Sequence, residues 1–72
     1  MPKIQITYTL REERLKRNLS TRELADISGI SKTHINAIEC GKTHPTLYAM
    51  CILAYAMQID LSNLYKIHVS YM

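Results

Sequence analysis

Two helix starts with a helix stop between them constrain this chain more than anything else in it. Ser20-Thr21-Arg22-Glu23 has the form of a capping box. The Ser20 hydroxyl can accept from the Glu23 backbone N–H while the Glu23 carboxylate reaches back to the Ser20 N–H. The helix opened there should carry Leu24, Ala25 and Ile27 inward and end at Gly29, which supplies the positive φ of a turn. Ser31 then caps a second helix, with apolar positions at Ile35 and Ile38 and a stop at Gly41. Only Ser28-Gly29-Ile30 joins the two, too few residues for an antiparallel hairpin of helices. They must cross steeply, with the small Ala25 at the crossing and Leu24, Ile30, Ile35 and Ile38 between them.

The flanking segments fit around that pair. Residues 3–8 alternate apolar and polar side chains, the period of a half-buried strand, and residues 66–71 do so again. Leu10, Arg14 and Leu15 among charges predict a short amphipathic helix that Asn18 stops. Pro45-Thr46 opens a fourth helix running to about Met57, and Asp60 caps a final short turn through Leu64. The terminal strands satisfy each other's backbone groups, either within one chain or across a dimer.

Seventy-two residues hold one compact domain, marginal in stability unless helped by tight packing or a partner. A composition 47% hydrophobic and 21% charged excludes a disordered chain. The net charge of +3 is compatible with nucleic acid but does not select it. Cys40 and Cys51 allow one disulfide at most, and Met1-Pro2-Lys3-Ile4 opens no signal peptide, so a cytoplasmic, nucleoid-associated setting is expected. The uncharged stretch 43–59 is too short and too interrupted to span a membrane.

Leu19-Ser20-Thr21-Arg22-Glu23-Leu24-Ala25, then Ser28 to Ile35, then Ile38-Glu39-Cys40-Gly41-Lys42 and Pro45-Thr46-Leu47 resemble the phage Cro/repressor, or XRE, helix-turn-helix family. The resemblance covers roughly residues 10–65 without a gap, with the motif itself at about 20–40. It implies an all-α, five-helix lambda-repressor-like domain over residues 1–72, here with short strands at both termini. It also implies a sequence-specific transcriptional regulator that binds operator DNA as a dimer, with repression by promoter occlusion as the expected outcome.

In such a motif the second helix enters the major groove by its first turn. That turn presents Lys32, Thr33 and Asn36, with His34 at its edge. Lys32 can donate to guanine, Asn36 can address adenine, and Thr33 offers a hydroxyl or a methyl. Ala37 stands where the family can carry a base-reading side chain, so a thymine methyl is all it could touch. Phosphate contacts are expected from Thr21 and Arg22 at a helix N-terminus and from Lys42 and Thr43 after the recognition helix. Cys40 replaces a polar residue common in the family at that point. The resemblance further implies an ion pair between Arg14 and Glu39. Arg17 and Lys16 are read as phosphate contacts or as charges that keep the surface soluble.

The fourth helix is unusual. Leu47, Met50, Cys51, Leu53, Ala54 and Met57 make its expected core face, yet Tyr48, Ile52 and Tyr55 form a second apolar stripe. A helix apolar nearly all round must be covered on both sides. A homodimer interface through Tyr48, Ile52 and Tyr55 is the expectation, against crowding by the chain's own terminal strands. A protein-interaction module or antitoxin-like partner, docking another protein through this helix, is the alternative function.

Other chemistry finds no support in the sequence. Gly41-Lys42-Thr43 matches the end of a phosphate-binding loop, but Asn36 stands where that loop needs its first glycine. Cys40, His44, His34 and Cys51 do not form paired metal ligands, and neither cysteine has a His-and-acid partner. No enzyme, cofactor, metal or small-molecule ligand is expected, and double-stranded DNA is the expected partner.

Overall fold

The structure, a computed structural model, describes residues 1–71. Strand β1 (Pro2–Tyr8) leads into α1 (Leu10–Lys16), α2 (Thr21–Ser28), α3 (Lys32–Glu39) and α4 (Leu47–Met57). A 3-10 turn (Leu61–Leu64) then leads directly into β2 (Tyr65–Tyr71).

Caps set the helix boundaries. Ser20 Oγ accepts from Glu23 N at 3.0 Å and Glu23 Oε1 accepts from Ser20 N at 2.9 Å, closing the capping box. Ser31 and Thr46 cap α3 and α4 in the same way, accepting from His34 N and Ala49 N. Gly29 ends α2 at φ 77°, and Asn18 and Gln58 take the same left-handed conformation after α1 and α4.

The Glu23 carboxyl is held below its usual range, first by the Ser20 N–H and then by the Ser20 hydroxyl. A depressed folded-state pKa means that the folded chain binds this proton more weakly than the unfolded chain. The stabilisation is therefore complete above the ordinary carboxylate pKa and drains away as pH falls through the lowered folded value. Glu23→Gln is expected to flatten this part of the acid limb in thermal melts between about pH 6 and pH 2. An acid limb identical to that of the unsubstituted chain would contradict the linkage.

Leu10, Leu24, Ile35, Ile38, Leu53 and Leu64 are fully buried and take one residue or more from every helical element, so a single core unites the helices. Met50, Ala54 and Met57 complete it from α4.

Several expectations are corrected. The fold is mostly helical but not all-α, because the terminal strands form an antiparallel sheet within the chain, in register from Pro2↔Tyr71 to Tyr8↔Tyr65. Among the described residues there are four α-helices rather than five. The segment after Asp60 makes only a 3-10 turn, since Tyr65 is already extended and leaves no residues for a fifth helix.

Ile27 and Leu15 lie 55% and 53% exposed, because the short α1 and α2 each have room to bury only a narrow stripe. On α4, Ala49 is buried while Leu47 is 69% exposed and Cys51 is exposed. The helix is rotated from the expected face. Its nearly unbroken apolar composition gives no polar side to fix that rotation, so packing against α2 and the 3-10 turn decides it.

Candidate nucleic-acid interface

α2 and α3 pack against each other across the left-handed turn at Gly29. The buried residues of α3, Ile35 and Ile38, face the core. Lys32, Thr33 and Asn36 are exposed, while His34 and Ala37 are half-buried at the edges of the same helix. Thr33, Asn36, Ala37, Cys40 and Lys42 line one shallow hollow, so residues from the start of α3 and from the loop after it share a surface. Arg22 is exposed and Thr21 half-buried at the N-terminus of α2; Lys42 is exposed and Thr43 half-buried after α3.

The electrostatics favour an anion. Glu23 is committed to its capping box and Glu39 to Arg14. Among the described residues none of Arg22, Lys32 and Lys42 enters an ion pair. Three cations therefore stand without acidic partners on or beside α3, and the N-terminus of α3, which carries no acidic residue in its first turn, adds its positive dipole end.

Arg14 fixes the pose of α3. Its Nε donates to Glu39 Oε2 at 2.8 Å and its Nη2 to Glu39 Oε1 at 3.0 Å, a bidentate pair. Its Nη1 donates to the Leu19 carbonyl at 2.8 Å, just ahead of α2. One guanidinium thus ties α1 to the end of α3 and to the entrance of α2. The two side chains are only 10% and 7% exposed. Glu39 closes α3 at its negative dipole end, an unfavourable place for a carboxylate that the arginine offsets. The hydrogen bonds to Glu39, and its charge, raise the Arg14 pKa further above its already high value.

Two contacts carry no clear sequence signal. Arg17 Nε donates to the Met57 carbonyl at 3.2 Å and its Nη1 to Glu13, so it closes the C-terminal end of α4 as well as α1. A basic residue placed to meet a distant helix end looks, in sequence, like any surface cation. Lys16 bonds Glu13 at 3.1 Å on the exposed side of α1. Tyr8 Oη and His44 Nδ1 share a 2.8 Å hydrogen bond that ties β1 to the α3–α4 loop. Among the described residues no group of His, Cys, Asp and Glu is placed to hold a metal ion, and no helix is long and apolar enough to cross a membrane.

Comparison with known proteins places this geometry. The family profile described as helix-turn-helix matches residues 10–64, from the start of α1 to the end of the 3-10 turn. The chain is 36% identical over 59 residues to the control protein C.SmaI of Serratia marcescens, an alignment covering 82% of this chain and 70% of that protein. It is similar to the crystal structure of the restriction-modification controller protein C.AhdI from Aeromonas hydrophila, with a TM-score of 0.72 and 31% identity. That match covers 75% of this chain and 82% of the other. The chain belongs to the helix-turn-helix family of transcriptional regulators, in its Cro/repressor (XRE) branch.

Proposed function

We propose that this protein is a regulator that binds an operator as a dimer, in the manner of a restriction-modification controller. The observation that carries the reading is α3 itself: an exposed Lys32–Thr33–Asn36 face, flanked by the unpaired cations Arg22 and Lys42 and held rigid by the Arg14–Glu39 pair. Lys32, Thr33 and Asn36 read base edges, with His34 and Ala37 at the margins of the same groove. Thr21, Arg22, Lys42 and Thr43 hold the backbone on either side. The names of the two relatives, a control protein and a restriction-modification controller protein, support a regulatory role. Occlusion of a promoter by the bound dimer makes the protein a repressor at such a site.

The dimer brings two recognition helices to half-sites about one helical turn apart. Tyr48 and Tyr55, 76% and 86% exposed on α4, with the half-buried Ile52 between them, are its contact residues. Two tyrosines this open on one helix are costly to leave in water without a partner surface.

Phosphate and base contacts are separable by experiment. Lys42→Ala is expected to weaken binding about equally on operator and scrambled DNA, and to reduce the log–log salt slope by roughly 1 per protomer. Anisotropy titrations from low to moderate salt measure both. A loss confined to the operator would assign Lys42 to base reading instead.

A further inference from the structure

The β1–β2 sheet lies outside the helix-turn-helix body, which the family match ends at residue 64. Apart from Tyr8 and Tyr65 at its base, the sheet is exposed on both faces. The two faces differ in chemistry. Lys3, Gln5, Thr7, Lys66, His68 and Ser70 share one of them, paired as Lys3↔Ser70, Gln5↔His68 and Thr7↔Lys66. The other carries Ile4 opposite Val69 and Ile6 opposite Ile67, with Pro2 opposite Tyr71 at its tip, and no charge. Ile4 is 61% exposed and Ile67 57%. A two-stranded sheet with an open apolar face is marginal in water by itself.

We propose that this apolar face is a contact surface for a second copy of the chain, extending the α4 interface across the sheet. The inference rests on the dimer reading above and adds residues to it. Continuity is the first argument. Ile6 and Ile67 line one apolar groove together with Leu47 and Met50, so the sheet face runs without a break onto the exposed start of α4. The Tyr8–His44 bond fixes the base of the sheet beside that start.

Area is the second argument. Leu47, Tyr48 and Tyr55 leave on the order of 550 Å² in water, short of the about 800 Å² that each partner gives to a standard interface. The sheet face adds roughly as much again and carries the patch past that threshold. Charge is the third. A surface with no charge of either sign offers nothing to DNA or to an acidic or basic partner, whereas it is complementary to itself, as a two-fold contact requires. Sheets packed face to face would bring Ile4, Ile67 and Val69 of both copies into one layer.

Sedimentation equilibrium of the full chain tests this with three variants. Val69→Lys places a charge on the apolar face, twice per dimer, and is expected to weaken dimerisation by roughly 100-fold or more while helical circular dichroism is retained. His68→Glu, on the opposite face, is expected to leave the dimer as it is. If Val69→Lys dimerises like the unsubstituted chain while Tyr48→Lys/Tyr55→Lys is monomeric, the sheet proposal fails and the α4 dimer stands. An unsubstituted chain that stays monomeric to high concentration overturns both. Should Val69→Lys not fold, isotope-filtered NOE spectra of a mixed labelled and unlabelled sample decide without substitution. Cross-copy contacts from the Ile4, Ile67 or Val69 methyls are expected. Cross-copy contacts from Tyr48 and Tyr55 alone, or none, overturn the proposal.

Discussion

Replacing Arg14, the one charged residue buried among those described, with alanine is expected to cost about 3–5 kcal/mol of folding stability, the largest effect of any single charge in the chain. The reason lies in what is left behind. Glu39, 7% exposed in the intact pair, would be left at a helix C-terminus with neither of its guanidinium hydrogen bonds, and the Leu19 carbonyl would lose its donor as well. A domain of this size has little stability to spare, so the variant should be substantially unfolded at 25 °C. Urea denaturation followed by circular dichroism measures the loss. Replacing both partners with apolar residues of similar volume is expected to recover most of it, because the cost comes from the orphaned charge and not from the missing bond. A loss below about 1 kcal/mol for Arg14→Ala would mean that the pair is solvated and that α3 is held by packing alone.

The second large effect concerns DNA and leaves the fold untouched. The double substitution Lys32→Ala, Thr33→Ala is expected to reduce operator affinity on the order of 1,000-fold or more, because the dimer loses two base contacts per protomer, each contributing about 1–3 kcal/mol of discrimination. Both side chains are exposed, and the cap that starts α3 belongs to Ser31. The folding stability should therefore change by no more than an ordinary surface substitution does, about 0.5 kcal/mol. Normal operator binding by this variant would move the recognition surface away from the first turn of α3.

The legibility of the sequence followed the locality of the signal. Capping at Ser20, Ser31 and Thr46 and the left-handed stop at Gly29 are decided by side chains within three residues of the backbone they serve, and the helix ends fall where those residues predict. The strands were visible as alternation, and the structure settles that they pair within one chain. Alternation could not say so, since it records which side is apolar and not which backbone lies alongside.

What escaped was governed by tertiary packing. The rotation of α4 that exposes Leu47 and Cys51 and buries Ala49 depends on neighbours, because an almost wholly apolar helix carries no internal direction. The fifth helix failed for lack of room: four residues between Asp60 and Tyr65 close one 3-10 turn before the strand begins. Arg17 and His44 found partners 40 and 36 residues away in the chain, a distance over which residue type alone gives no guidance. Lys32, Thr33 and Asn36, proposed as base contacts, and Arg22, proposed as a phosphate contact, are exposed, whereas the half-buried His34 and Ala37 have less reach.

α3 is proposed to read DNA sequence. Fluorescence anisotropy of labelled DNA from upstream of the protein's own gene, set against scrambled DNA over a salt series, tests it most directly. Two copies each of Arg22 and Lys42 on phosphates predict tight, sequence-dependent binding with a log–log salt slope steeper than about −3. Weak binding, equal on both DNAs and indifferent to salt, would contradict the account and leave the apolar face of α4 as the working surface.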